Sequence, residues 1–286
     1  MRCSALAEQL NEPLAGTVDQ RRRWLLIEDQ SPWGTDAVAE LIGPEEAALA
    51  KGLGLRVLLV RRREGDPAAD VVRRLILVDT VTREMAVRTL AAGVGGLSVQ
   101  EAASMPMAGF GEPLTGPLYL VCTNGKRDAC CALRGRALVA VLAAEQAERV
   151  WECTHLGGHR FAGNLVCLPD GIIYGRVTAA DGPRLAAAYL AGRLDPSFLR
   201  GRSAWPAPVQ VAEVELRRRL ELDGLHDVAL MAADIDGNRA TVLLAAPDGT
   251  THRLHVDAVA VEPPRPTSCR ADEMEQPVHW FVVDAR

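Results

Sequence analysis

Three nearly unbroken apolar runs mark the first part of the chain: RWLLIED (23–29), LRVLLVRR (55–62) and RRLILVDT (73–80). Short continuous runs predict strands buried on both faces, as in a sheet covered by helices. Between the first two lies GPEEAALAKGLG (43–54), where a Pro at the start and a Gly at the end predict a short helix. REGDPAAD (63–70) reads as the loop between the second and third strands. The same order returns downstream. PLYLVCT (117–123) predicts a strand, and DACCALRGRALVAVLAAEQAE (128–148) a helix with Asp128 at its N-cap or in its first turn. RVWECTH (149–155) predicts a second strand, GNLVCLPDGIIYGRV (163–177) a hairpin turning at PDG, and DGPRLAAAYLAGRL (181–194) an amphipathic helix.

The two halves align loosely, WLLIEDQSPWGTDA with LYLVCTNGKRDACC and RLILVDT with NLVCLPD, which suggests a duplication. The first copy carries Glu28, Ser31 and Trp33 where the second carries cysteines, so one copy is chemical and the other architectural. Beyond residue 197 the texture changes. GRSAWPAPVQ (201–210) reads as a linker, VAEVELRRRLELDG (211–224) as a charged helix and ATVLLAAPDGTTHRLHVDAVAV (240–261) as a hairpin. The division expected is a flexible N-terminus (1–19), a first α/β half (20–115), a second α/β unit (116–197) and a small α+β appendage (205–286).

Composition narrows the function class. The 286 residues suffice for one large domain or two ordinary ones, and 48% apolar with 24% charged residues is ordinary for a soluble protein. A net charge of −5 argues against nucleic acid as a partner. The N-terminus lacks a basic run followed by an apolar core, and no apolar run reaches the roughly 18–20 residues of a membrane span. A cytoplasmic location is expected, where seven irregularly spaced cysteines serve as metal ligands, redox groups or core residues rather than disulfides.

The candidate chemistry lies in VCTNGKRDACC (121–131) and ECTHLGGHRF (152–161). Eight residues separate Cys122 from Cys131, twenty-three separate Cys131 from His155, and three separate His155 from His159. All four fall at or just beyond predicted strand ends, where α/β scaffolds place chemistry. Gly157 and Gly158 permit positive φ, so the chain between the histidines can curl round an inorganic group. Two Cys and two His suit either a tetrahedral Zn²⁺ or a [2Fe–2S] cluster with cysteines on one iron and histidines on the other. The spacing departs from zinc-finger patterns, and ligand pairs arriving on separate loops suit a cluster. Spacing alone leaves Cys130 open as the alternative to Cys131.

From about residue 20 onward the chain resembles the sucrase/ferredoxin-like family, which includes fungal thioredoxin-like ferredoxins. The resemblance rests on RWLLIEDQSPWG, VCTNGKRDACC, CTHLGGHRFAGNLVCLPDGIIYGR and the terminal SC…HW. In that family's bis-histidinyl branch, H-x₃-H replaces a second cysteine pair. The resemblance implies a thioredoxin-like ferredoxin domain preceded by a degenerate thioredoxin-like α/β repeat, and a [2Fe–2S] cluster on Cys122, Cys131, His155 and His159. It implies a redox carrier rather than an enzyme, exchanging electrons with an unidentified redox partner protein. Two thiolates and two neutral imidazoles leave an oxidised cluster neutral rather than doubly negative. Its potential should therefore rise, toward the about −150 to +300 mV of histidine-ligated Rieske centres, and vary with pH. The rival expectations are a structural Cys₂His₂ zinc protein and a thioredoxin-like thiol oxidoreductase, the latter weakened because no C-x-x-C occurs.

Blander roles are expected elsewhere. Cys130 reads as a helix-start core residue or spare thiol, Cys153 and Cys167 as buried strand cysteines, and Cys3 as part of a disordered terminus. His252 and His255 read as surface or satisfied-core residues on the distal hairpin, and His226 as a helix cap. Lys126, Arg127 and Arg160 read as solvated loop charges or a docking patch for an acidic partner. Cys269 and His279 match the family tail with no physical role evident from sequence.

Overall fold

A computed structural model describes residues 2–62, 72–91 and 95–283, so the expected loop at 63–70 lies outside the described residues. In chain order the elements are α1 (Cys3–Gln9), β1 (Arg23–Glu28), α2 (Ala37–Ile42), α3 (Pro44–Gly52), β2 (Leu55–Arg61), β3 (Val72–Asp79), β4 (Glu84–Ala91), α4 (Val99–Ser104), α5 (Met107–Phe110) and β5 (Glu112–Pro113). There follow β6 (Leu118–Cys122), α6 (Ala129–Gln146), β7 (Val150–Cys153), a 3-10 turn (His159–Phe161), β8 (Leu165–Leu168), β9 (Ile172–Tyr174), α7 (Gly182–Leu190) and β10 (Leu199–Arg202). The last elements are α8 (Ala207–Leu220), β11 (Ala229–Asp236), β12 (Arg239–Ala245), β13 (Thr251–Ala260) and β14 (Val278–Val283).

The result is an α/β fold on one mixed ten-stranded sheet, ordered β10-β9-β8-β6-β7-β2-β1-β3-β4-β5. The halves share one strand order. In each, the first two strands are parallel (β1 with β2, β6 with β7) and the third runs antiparallel to the first. They join where β2 meets β7 antiparallel, Val60 opposite Cys153 and Arg61 opposite Glu152. The apolar runs explain this arrangement. Leu25, Leu26, Ile27, Leu58, Leu59, Leu75 and Leu77 are all buried, so both faces of the central strands exclude water, each such side chain contributing about 1.5–3 kcal/mol. One face forms a core continuous across both halves, running from Trp24 and Leu58 to Cys122, Cys153 and Val166. The other face holds separate cores, one in the first half under α2 to α4 and one in the second under α6 and α7.

A second sheet, β11-β12-β13-β14, is antiparallel and packs against α8. The linker expected before it does not exist as one. Residues 199–202 are β10, an edge strand of the large sheet, and Gln210 is fully buried with its amide on the carbonyls of Val18, Arg202 and Trp205. The N-terminus also departs from the flexible segment expected at 1–19. Cys3, Ser4 and Ala7 of α1 and Glu12 beyond it are buried, and α1 packs on the 3-10 turn after the histidine loop. No helix among the described residues is long and apolar enough to cross a membrane.

Candidate metal centre

The loop after β6 folds its two cysteines back together. Asn124 Oδ1 accepts from the backbone N–H groups of Lys126 and Arg127 at 3.1 and 3.2 Å, and Asp128 caps α6 by accepting from Cys130 N at 2.8 Å. Successive helical residues project about 100° apart, so the adjacent cysteines diverge. Cys131 joins the sheet core with Cys122 and Cys153, whereas Cys130 packs with Cys3 and Ala162. Close approach of α6 to the strand requires Gly135, where a Cβ would strike the Cys122 carbonyl.

The histidine loop is pinned at every carbonyl between its histidines. Arg56 donates to the Leu156 carbonyl, Arg200 Nη1 to that of Gly157 at 3.2 Å, and Asn164 Nδ2 to that of Gly158 at 3.1 Å. Gly157 and Gly158 lie at φ +85° and +66°, the left-handed region that favours glycine, as expected. The curl stacks the imidazoles of His155 and His159, with ring centroids 4.9 Å apart and planes 30° from parallel. Ligand atoms of Cys122, Cys131 and His155 all lie within 4.8 Å of one another, and His159 stands outside that trio, stacked on His155.

The electrostatics favour donation to a cation. A hydrogen bond from Cys131 holds the Cys122 thiol well below its ordinary range, against burial and with help from His155, and the same bond pushes Cys131 up. Burial, reinforced by His155, lowers His159 to about 4, which keeps its imidazole neutral near pH 7. Arg200 is pushed down to about 9 by burial, so it remains cationic beside the two cysteines.

A second cluster lies on the far side of the α6 N-terminus. Cys3, Asp128, Cys130 and Cys269 also present ligand atoms within 4.8 Å of one another. No local pattern marks it, because 266 positions separate Cys3 from Cys269. Neighbouring ion pairs were equally hidden. The fully buried Glu12 carboxylate pairs with Arg160 Nε at 2.7 Å, His279 Nε2 at 2.9 Å and Arg265 Nε at 3.2 Å. Arg160 is therefore a structural partner and not a solvated loop charge, and His279 acquires a role. Arg127 pairs with Asp36 of the first half, and Lys126 is exposed. His252 and His255 are paired with Thr250 and Thr241. His226 contacts Arg83 and Asp170, and Glu221, in a left-handed conformation, ends α8 in its place.

Nδ1 of His155 and of His159 is buried with no hydrogen-bond partner, an arrangement that costs free energy unless another group, such as a metal, occupies it. With two neighbouring thiols, one held below its ordinary range by the other, the donor set fits a thiophilic metal or an iron–sulfur cluster. An 80-residue stretch is 35% identical to Altered inheritance of mitochondria protein 32 of the yeast Meyerozyma guilliermondii, covering 24% of this chain and 28% of that protein. The chain thus matches under a third of that relative's length. No solved structure matches. Residues 14–201, which include both loops of the trio, match the family model described as sucrase/ferredoxin-like, and the chain belongs to that family.

Proposed function

We propose that the protein is a one-electron carrier holding a [2Fe–2S] cluster through Cys122, Cys131, His155 and His159, within a thioredoxin-like second half. The observation that carries this reading is the pair of stacked imidazoles with orphaned Nδ1 atoms, His155 lying within 4.8 Å of the ligand atoms of Cys122 and Cys131. When bound, the cluster supplies one-electron redox chemistry. The residues around it set its conditions. Cys122 and Cys131 lie in the sheet core and exclude water from their side of the site, and cationic Arg56 and Arg200 hold the loop carbonyls and offset thiolate charge. His155 lines a surface groove in which Asp19 pairs with Arg21 and Arg56, and Asp36 with Arg127, which makes the histidine edge the route for electron exchange. Each imidazole nitrogen not bound to metal can hold or release a proton, so the potential should fall as pH rises.

The test is EPR of the dithionite-reduced protein beside His155→Cys and His159→Cys, with iron and acid-labile sulfide counted. Rieske-like g values that move toward ferredoxin-like ones in the variants are expected. A colourless protein with zinc on these residues and no sulfide after anaerobic preparation would replace this reading by a structural Cys₂His₂ zinc site, to which the compactness of the trio lends some support. Spectra unchanged by both substitutions would remove the histidines from the ligand set.

A further inference from the structure

The second cluster is built more tightly than chance contact between buried thiols requires. Cys3 Sγ lies 3.6 Å from Cys130 Sγ, Cys130 Sγ lies 3.2 Å from Cys269 Sγ, and Cys269 Sγ lies 3.4 Å from Cys3 Sγ. The Asp128 carboxylate completes the group, with Oδ2 3.8 Å from Cys3 Sγ. The same carboxylate accepts from Cys130 N and Cys269 N, both at 2.8 Å, so it fixes the backbones that carry two of the three thiols and retains free lone pairs. These residues come from three places in the chain: α1, the first turn of α6, and the segment between β13 and β14.

Three thiols in a closed triangle have little to gain from one another, since S–H groups are weak donors and weak acceptors. A disulfide would use two of them and strand the third. A single tetrahedral Zn²⁺ uses all three. With Zn–S bonds of about 2.3 Å, sulfurs around one zinc stand about 3.8 Å apart, a few tenths more than the triangle now measures. A polynuclear cluster would need its sulfurs spread much further. Three thiolates and a carboxylate supply four donors of types that bind zinc and close its tetrahedron, with no position left for water or substrate.

We propose that Cys3, Cys130 and Cys269, with Asp128 as fourth donor, form a second metal site that takes a structural Zn²⁺ and staples the two ends of the chain to the α6 N-terminus. The staple sits one residue from Cys131, and Arg265 of the C-terminal segment it ties down shares the Glu12 carboxylate with Arg160, the residue after His159. The zinc therefore fixes the wall of the histidine site while taking no part in electron transfer. This site is independent of the cluster reading: either could hold without the other.

The experiment counts zinc and iron per chain by mass spectrometry in full-length protein, purified anaerobically, reduced and re-equilibrated with Zn²⁺ before desalting. Four chains are compared: wild type, Cys3→Ala, Cys269→Ala, and the double variant Cys122→Ser/Cys131→Ser. Wild type should carry about one zinc, and Cys3→Ala and Cys269→Ala each at least about tenfold less, with iron content and visible spectrum retained. The double variant should lose its iron and keep its zinc. Cys269 lies at the exposed end of the site, so its variant decides the matter should Cys3→Ala fail to fold. Zinc absent from folded wild type, zinc retained in Cys269→Ala, zinc lost only in the double variant, or a Cys130–Cys269 disulfide found by intact mass in place of zinc would each overturn the proposal.

Discussion

Cys130 and Cys131 are adjacent in sequence and belong to different clusters. Their separation follows from helical geometry alone, so serine at each position should have different consequences. Cys131→Ser should strip iron from the protein, whereas Cys130→Ser should leave iron and visible absorbance intact, as iron analysis would show; equal losses would mean that the two positions share one site. Gly158 makes a second residue-scale prediction. Its φ of +66° costs a side chain about 1–2 kcal/mol, and an added Cβ would meet the Arg200 guanidinium. Gly158→Ala should lower the Tm by roughly 3–8 °C and loosen the His155–His159 stack. An unchanged melting curve would mean that the loop tolerates a right-handed residue there.

At the scale of elements, α6 is the part that couples fold to site. Its first turn carries one cysteine of each cluster, Cys130 and Cys131, and its second carries Gly135, against the Cys122 carbonyl. Gly135→Val has to push the helix off β6, so a loss of about 2–4 kcal/mol is expected in urea unfolding, together with reduced iron occupancy. A stable variant with full iron would show that the helix can shift without moving Cys131. This helix, its Asp128 cap and the strands at 23–28, 55–61, 118–122 and 150–153 were legible because their apolar residues are continuous or helically spaced. Two strands were illegible for one reason. β11, ALMAADID, is largely exposed, and β10, LRGR, buries Arg200 and Arg202, so neither shows the apolar pattern that marks a strand. Arg200 and Arg202 can be buried because Thr17 with Asn164 and Glu213, respectively, partner their guanidinium groups. Cys122, Cys131 and His155, which the fold brings together, lie in two short stretches of sequence, so spacing could pick them out. The second site draws on Cys3 and Cys269, a pairing that no local pattern encodes.

At the scale of the whole molecule, the ends of the chain are held on the site by one carboxylate as well as by the three thiols. Glu12 is buried and reaches Arg160 beside the histidine loop, Arg265 in the C-terminal segment and His279 on β14. Burial alone would raise its pKa, but the His279 hydrogen bond and the Arg160 and Arg265 guanidinium groups outweigh it and bring it to about 2, from an ordinary 4.5. A carboxylate whose pKa is depressed on folding contributes stability that is fully present above its unfolded pKa and lost as pH falls through its folded pKa. The contribution, on the order of 3 kcal/mol, should therefore be intact at neutral pH and disappear between about pH 4.5 and 2. Glu12→Gln removes the charge at all pH values and leaves two buried guanidinium groups without their anion. At pH 7 the variant should unfold at lower urea, by an amount worth roughly 3 kcal/mol, and the gap from wild type should close as both are taken toward pH 2. A gap independent of pH would assign the loss to packing and not to charge. Because Glu12 holds the same two chain ends as the thiol triangle, Glu12→Gln combined with Cys269→Ala should destabilise by more than the sum of the two changes, while Glu12→Gln with a distant change such as Met231→Ala should simply add.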